Sequence, residues 1–274
     1  LNSFFSIFEI GTNNYNEISV LSSLIKPHQV IITNINPTHL ENFSNTRNIA
    51  IEKSDLFNPK YNSQAELLIV PNSNIDESYL IKLAKKYSIK SIVTFGLSNF
   101  ADYSIQKIKV INNFLSEVKI KTPSQNIKIK TTTSVEHQII NMLVPLIIFE
   151  HNCLKIDSFL DNSKKIPLLE GRGFFYKIKI NKKNVTLIDE SYNASPISMK
   201  SCIKYFEKIK KNQLQNKILI IGEMLELGES SIKFHKEIVS IVLNLSMHKI
   251  IFCGDLYKKI LDQIKIKSKK IYYF

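Results

Sequence analysis

Short apolar runs that alternate with amphipathic stretches constrain the fold of this chain more than any other feature. The runs Val30–Ile35, Glu66–Val70 and Ser91–Phe95 are separated by segments with a helical period, and Phe4–Ile10 is a further apolar run. Strands that alternate with helices in this way form parallel sheets covered by helices. The sequence therefore predicts an α/β protein whose main sheet is mostly parallel.

Two changes of pattern divide the chain. From Gln106 to Thr133 short alternating segments carry Lys on one side, which predicts an antiparallel extension at the edge of the sheet. A helix is predicted over Glu136–Phe149, bent at Pro145. After the polar segment Asp161–Pro167 the strand–helix alternation begins again and predicts a small doubly wound second unit. We therefore expect two domains, residues 1–168 and 169–274.

The charge and the cysteines limit the function. The formal net charge is +13, but only two of the 37 basic residues are Arg and the Lys residues are scattered, so nucleic-acid binding is not predicted. Three cysteines lie far apart without a CxxC pair, which favours a reducing cytoplasm and argues against zinc. No signal peptide is visible, and the apolar run Ile139–Phe149 is too short to span a bilayer. Because the chain begins at Leu1 rather than Met, we expect it to be a fragment.

One polar loop stands out among these segments. In Leu187–Met199 an apolar run ends in Asp189 and Glu190, a loop follows, and Pro196 opens an amphipathic run, as at the first turn of a helix. Ligands of parallel sheets bind outside the carboxyl ends of strands, and this loop lies at such an end. An ordinary solvated loop is the alternative.

The same stretch resembles a known family. DESYNASPISM is similar to the DDSYNANPxSM signature of Mur ligases of the MurF type, with Glu190 and Ser195 at the two positions that differ. GEMLELGE (Gly222–Glu229), followed by His235, resembles their GDMLELGxxSxxxH. The resemblance implies the remainder of a P-loop-type central ATPase domain followed by a Rossmann-like C-terminal domain. No GxxGK[ST] occurs in the sequence, so we expect the chain alone to lack ligase activity.

A metal site is predicted from three residues. Glu9 ends the first apolar run and His39 follows the second, so neighbouring strands would direct both toward one crevice; a strand-end acid and a loop histidine without metal are the alternative. EIGTNNYNEI and TNINPTHLENF resemble the family's ExGxNxxGEI and TNxxxAHLExF. IAIEKSDLF resembles AxxKxEIF, whose lysine is carbamylated and helps hold Mg²⁺. The resemblance thus implies that Glu9, His39 and carbamylated Lys53 bind Mg²⁺ and are catalytic.

A nucleotide site is implied in the same way. HQIIN, with His137 and Asn141 four residues apart on one helix face, resembles the HNxxN whose Asn contacts adenine. Gly-Arg-Gly around Arg172 resembles PxxGRG, in which the Arg reaches the phosphates, and Arg suits planar contacts with phosphate. The cofactor-binding residues expected from the resemblance are therefore His137, Asn141, Arg172, Asp189, Tyr192 and Asn193.

The resemblance implies an ATP- and Mg²⁺-dependent ligase of peptidoglycan synthesis. Its expected substrates are UDP-N-acetylmuramoyl-tripeptide and D-alanyl-D-alanine, joined through an acyl phosphate, in a cytoplasmic monomer without membrane insertion. Two alternatives remain open: another Mur ligase or a folylpolyglutamate synthase-like ligase, and a non-catalytic relative that binds nucleotide without turnover. The Glu190, Asn16 and Val135 departures from the motifs keep the second alternative open.

Overall fold

The structure, a computed structural model, describes residues 5–73, 75–112, 115–133, 135–165, 170–209, 216–264 and 270–274. A six-stranded sheet dominates its first part, with the strands in the order of the chain. The first four strands pair in parallel, and the pairs β4–β5 and β5–β6 are antiparallel. The predicted mostly parallel sheet with an antiparallel edge is therefore confirmed. The strands are β1 (Gln29–Ile31), β2 (Leu67–Pro71), β3 (Ser91–Gly96), β4 (Tyr103–Asn112), β5 (Leu115–Lys121) and β6 (Asn126–Thr131).

Helices cover both faces of this sheet. Along β2 the side chains of Leu67 and Ile69 face one apolar core and those of Leu68 and Val70 face another, and all four are buried. A strand buried on both sides explains the uninterrupted apolar run in the sequence. The helices are α1 (Glu17–Ile25), α2 (Leu40–Phe43), α3 (Thr46–Ser54), α4 (Ile75–Lys86), α5 (Glu136–Asn141), α6 (Leu143–His151) and α7 (Ile156–Asn162).

The predicted bend in the long helix is confirmed as an interruption. The helix is split at Met142 into α5 and α6, three residues before Pro145. Proline has no N–H to donate to the carbonyl four residues earlier, here that of Asn141, and its ring crowds that carbonyl. The α6 part is buried in the core beside the sheet, whereas Asn141 at the end of α5 is exposed.

The second unit begins with an antiparallel hairpin, β7 (Phe174–Ile180) and β8 (Lys183–Asp189), as predicted. Its turn residues Asn181 and Lys182 both have positive φ, which suits a two-residue turn between twisted strands. A parallel three-stranded sheet follows, with its own apolar core. It contains β9 (Ile218–Ile221), β10 (Lys249–Phe252) and β11 (Ile271–Tyr273), with helices α8 (Pro196–Lys208), α9 (Ser231–Leu243) and α10 (Asp255–Ile264).

Three details differ from the sequence predictions. Residues 5–10 form no strand: Ile7 is 93% exposed and Phe8 59%, and no described strand lies beside them to accept their backbone hydrogen bonds. The strand predicted at Val30–Ile35 is paired only as far as Ile31. The strand before Asp189 belongs to the antiparallel hairpin and not to a parallel sheet, so the strand-end rule does not explain its loop. Residues 1–4 and 166–169, with the predicted boundary at 168/169, lie outside the described residues.

Candidate active site

The loop after β8 folds back onto the segment that precedes β7. The Tyr192 N–H donates to the Gly171 carbonyl (3.1 Å), and the Arg172 guanidinium lies 4.3 Å from the centre of the Tyr192 ring. Gly171 has φ +72°, and a Cβ there would lie 3.0 Å from the Tyr192 nitrogen, so only glycine permits this approach. The Tyr192 side chain nevertheless remains 67% exposed, which leaves a cation and an aromatic ring open to a planar ligand.

Helix α5 of the first unit meets this loop. Gln138 Nε2 donates to the backbone carbonyl of Arg172 (2.9 Å), and the side-chain oxygen Oε1 of Gln138 accepts from the Thr133 hydroxyl. His137 is on the same helix, and its Nδ1 is buried with no partner among the described residues. Burial, and next the positive charge of Arg172, lower the pKa of His137, so its imidazole is neutral at pH 7. A neutral, unpaired ring nitrogen therefore lies beside Arg172.

A second unpaired polar atom lies on the hairpin side of this cluster. Glu190 Oε1 is buried and has no hydrogen-bond partner among the described residues. Burial raises the pKa of Glu190 to about 7, although a hydrogen bond from the half-buried Cys202 thiol opposes the rise. Burial also raises the pKa of Cys202, with the Glu190 charge adding to the effect. A Glu in place of the family's Asp thus lies inward, against Cys202 and Gly173.

The remaining residues of the predicted nucleotide site lie at its border. Asp189 accepts hydrogen bonds from the Ser191 hydroxyl (2.7 Å) and N–H (3.0 Å), which lower the pKa of its carboxyl. The Asn193 side chain accepts from the Ala194 N–H (2.7 Å), and Ser195 caps α8 through the Ser198 N–H. Asn141 is exposed at the end of α5. The structure therefore brings His137, Arg172, Asp189 and Tyr192 to one junction, with Asn141 and Asn193 outside these contacts.

The predicted metal residues are only partly assembled. Lys53 on α3 donates from Nζ to the Asn34 carbonyl (3.0 Å), in the loop that carries His39 five residues later. Burial lowers the pKa of Lys53. His39 has a left-handed backbone (φ 53°) immediately before α2 and is 30% exposed. The Lys53 side chain on α3 thus contacts the loop between β1 and α2, in which His39 also lies.

Glu9 does not join them. It lies in the irregular segment 5–10, is exposed, and makes no hydrogen bond or ion pair with a described residue. The expectation that a neighbouring strand would direct Glu9 toward His39 is wrong, because that strand is not formed. The chain returns to the site just afterwards, where Asn42 on α2 donates to the Asn13 carbonyl (2.8 Å). Within the described ranges, no group of three His, Cys, Asp or Glu side chains could hold a metal ion.

Glu52 organises the loop between these two elements. This carboxylate is 4% exposed and accepts the Asn16 and Ile18 N–H groups, both at 2.9 Å, at the start of α1. Asn16 itself has φ 69°, a conformation that Gly or Asn tolerates best. The Asn16 departure from the family motif is therefore compatible with the turn.

Three residues make contacts in the structure that the sequence analysis did not predict. Gln138 holds Arg172, Glu52 holds the 12–18 loop, and Glu226 lies against His39 from the second unit. Glu226 is separated from His39 by most of the chain, so no spacing rule could have paired them. Glu52 could have been noticed only as an acid on the inward side of a predicted helix. No helix among the described residues is long and apolar enough to cross a membrane.

Comparison with known proteins identifies two domain types along the chain. Residues 2–149 match the Mur ligase middle domain, and residues 176–274 match the Mur ligase glutamate ligase domain. The chain is 32% identical over 98% of its length to UDP-N-acetylmuramoyl-tripeptide–D-alanyl-D-alanine ligase of Rickettsia prowazekii, of which it spans 58%. A crystal structure of MurF from Acinetobacter baumannii has a TM-score of 0.79 at 21% identity, covering 96% of this chain and 54% of that one.

The fold is shared with a second solved structure. The MurF ligase of Thermotoga maritima, crystallised in complex with ADP, has a TM-score of 0.77 at 20% identity and covers 96% of this chain and 56% of that one. The chain thus spans about half the length of the proteins that it matches. Since a family model covers more than half of the sequence and both solved structures share its fold, the chain belongs to the Mur ligase family.

Proposed function

We propose that this protein is an ATP-dependent ligase that joins UDP-N-acetylmuramoyl-tripeptide to D-alanyl-D-alanine. The observation that carries the proposal is the junction where α5 of the first unit meets the Arg172–Tyr192 loop of the second. The proposal is supported by the activity for which the Rickettsia relative is named and by the ADP in the Thermotoga structure. Both domain types of the family contribute to this junction, which is where a ligase must hold nucleotide and acceptor together.

In this proposal the nucleotide lies at the junction. The Arg172 guanidinium would bind phosphate, and the exposed Tyr192 ring below it would remain available for stacking. His137, with its unpaired Nδ1, would hydrogen-bond the base or ribose, and Asn141 on the same helix would contact adenine. Asp189 and Asn193 would border the ribose and phosphates. The unpaired Glu190 oxygen is a further acceptor on this side.

The metal site in this proposal depends on the chemistry of Lys53. The lowered pKa increases the fraction of neutral amine, and only the neutral amine attacks CO₂. That step forms an N–C bond, releases one proton and converts Lys53 into a carbamate anion. The carbamate would supply the oxygen ligand that the described His, Cys, Asp and Glu residues do not provide as a cluster. Together with His39, it would hold Mg²⁺, which would neutralise charge on the transferred phosphoryl group.

The reaction follows from this arrangement. The terminal carboxylate of the tripeptide attacks the γ-phosphorus of ATP, which gives an acyl phosphate and ADP. The amine of D-alanyl-D-alanine then attacks the acyl carbon, forms the amide bond and expels phosphate. Contact of the second unit with α2 and α5 excludes water, which would otherwise hydrolyse the acyl phosphate.

Phosphate release by the full gene product tests the proposal. We expect release only when ATP, Mg²⁺, UDP-N-acetylmuramoyl-tripeptide and D-alanyl-D-alanine are all present. Lys53→Ala should abolish it, and added short carboxylates should restore part of it, because they replace the carbamate. Lys90→Ala, which removes an exposed lysine from a surface ion pair, is the matched control and should keep full activity.

The same assay separates the alternatives. Release with a different amino acid would keep the chemistry and change the substrate, as expected for another Mur ligase or a folylpolyglutamate synthase-like enzyme. A folded protein that binds ATP but releases no phosphate would refute the ligase and favour the non-catalytic relative. A fully active Lys53→Ala variant would refute the carbamate.

A further inference from the structure

The loop Gly222–Glu229 joins the two units beside α2. The Glu226 carbonyl accepts the Glu41 N–H (3.4 Å), and Phe234 just beyond the loop packs against the cores of both units. Gly228 has φ +52°, and a Cβ there would lie 3.1 Å from the Glu41 Cα. The loop therefore lies directly on the backbone of α2, the helix that His39 precedes.

The side chain of Glu226 reaches His39. Its Oε2 lies against His39 Nδ1, a buried atom that makes no hydrogen bond of normal geometry with a described residue, whereas the His39 side chain as a whole is 30% exposed. The exposed part of the side chain therefore lies at atoms other than Nδ1. Both residues have a left-handed backbone, φ 53° for His39 and 61° for Glu226, a conformation that is unfavourable for residues other than glycine. Both partners of this one contact therefore have an unfavourable backbone conformation.

The second unit holds Glu226 in position from both sides. His235, which is completely buried, accepts the Met224 N–H at Nε2 (3.0 Å) and lies 2.7 Å from the Ser231 carbonyl at Nδ1. These two contacts fix a His235 tautomer with the proton on Nδ1. Glu223 accepts the Leu256 N–H (2.5 Å) at the start of α10. The loop is thus anchored to its own core at Glu223 and Met224, before Glu226, and through the buried side chain of Leu227 after it.

We propose that Glu226 is a positioning residue for His39. Its carboxylate lies where it would accept the Nδ1 proton once the two groups align, which would fix the tautomer and leave the Nε2 lone pair for a divalent cation. Histidines that bind metals commonly donate their other N–H to a carboxylate in this way. The inference rests on the metal site of the proposed function. Because Glu226 belongs to the second unit and His39 to the first, the ligand is correctly oriented only while the two units are in contact.

An ion pair that only joins the two units would have the same geometry. The two roles differ in what depends on them: a joining role affects stability, and a positioning role affects the metal affinity and the tautomer of His39. Glu226→Gln separates them further, because its amide oxygen still accepts the Nδ1 proton although the charge is lost. Rescue by Gln relative to Ala is therefore expected only for positioning.

Mn²⁺ binding to the full gene product, followed by electron paramagnetic resonance in the presence of bicarbonate, is the test. We expect Glu226→Ala to raise the Mn²⁺ dissociation constant about 10- to 100-fold and Glu226→Gln to raise it clearly less. The ¹⁵N shifts of the His39 ring, assigned with His39→Asn, should show an Nδ1 proton in the wild type and a mixture of tautomers in Glu226→Ala. Glu237→Gln, which breaks the Lys200 ion pair of the second unit, should change neither.

Each outcome has one meaning. If His39→Asn weakens Mn²⁺ binding and Glu226→Ala does not, the positioning role is overturned and the metal site stands. If neither His39→Asn nor Lys53→Ala weakens binding, the metal site of the proposed function is wrong. If the Ala variant does not fold, the Gln variant and its ¹⁵N shifts decide: an unchanged Mn²⁺ affinity together with a lost Nδ1 proton overturns the role.

Discussion

Replacing Glu190 with Gln should remove a pH dependence from the stability of this protein. Burial raises the pKa of the Glu190 carboxyl from 4.5 to about 7. Between these values the folded protein holds a proton that the unfolded chain has released. The free energy of unfolding should therefore fall as the pH rises from about 4.5 to about 7 and level off above that.

The structure sets the size of the effect. A pKa difference of this extent corresponds to about 3 kcal/mol at most between the acidic and the neutral limits. Solvent reaches part of the Glu190 side chain and screens its charge, so we expect about 1–2 kcal/mol. Gln has nearly the shape of the protonated acid and carries no charge, so Glu190→Gln should lack this term.

Urea unfolding at about pH 5 and about pH 8 measures the difference. Glu190→Gln should gain about 1–2 kcal/mol relative to the wild type on going to the higher pH. Glu66→Gln is the matched control: the hydrogen bond from Lys90 lowers the pKa of Glu66, so it stays charged and its effect should be nearly the same at both values. The reasoning is refuted if Glu190→Gln differs from the wild type by a constant amount, or if ¹³C titration of Glu190 gives a midpoint near 4.5.

Three further predictions concern the support of the fold. Lys217→Met removes two hydrogen bonds from Nζ to carbonyls at the end of α8 and should lower the free energy of unfolding in urea by about 1.5–3 kcal/mol. Lys90→Met, at an exposed ion pair, should lower it by less than about 1 kcal/mol. Equal losses for the two variants would contradict this prediction. Asn16→Gly should leave stability nearly unchanged, and Asn16→Val should cost about 1–2 kcal/mol, because φ is 69° there; a neutral Val would contradict it. A thiol reagent at pH 8 should modify the exposed Cys153 well before Cys202, whose pKa burial raises, and mass spectrometry of partly modified protein would show the reverse order if this is wrong.

The α/β class, the antiparallel edge and the hairpin could be predicted because each depends on local periodicity. Strands buried on both faces, such as β2, give continuous apolar runs, and the turn at Asn181 gives a polar interruption. The strand predicted at residues 5–10 is not formed. The composition of this run suits a strand, but its hydrogen-bond partners depend on tertiary context. Apolar composition alone does not supply a neighbouring strand.

Contacts in the site were predictable from the sequence where both partners lie close together in the chain. Gly171, Arg172 and the Asp189–Tyr192 loop come together through a hairpin, which is local, and the family resemblance named them. The contacts of Glu226 with His39 and of Gln138 with Arg172 depend on how the two units pack. No pattern within either segment reports that packing. The roles proposed for Glu9, Asn141 and Asn193 stay predictions.

The interruption at Met142 gives one helix two different attachments. Its second half, α6, is buried in the core beside the six-stranded sheet, while its first half, α5, is tied through Gln138 to the carbonyl of Arg172. A helix that is interrupted near a proline can change the angle of one half without disturbing the packing of the other half. The six residues of α5, which include His137, can therefore change their angle together with the Arg172 loop while α6 stays in the core. In the proposed function, the side chains expected to contact the base and the phosphates would then move together.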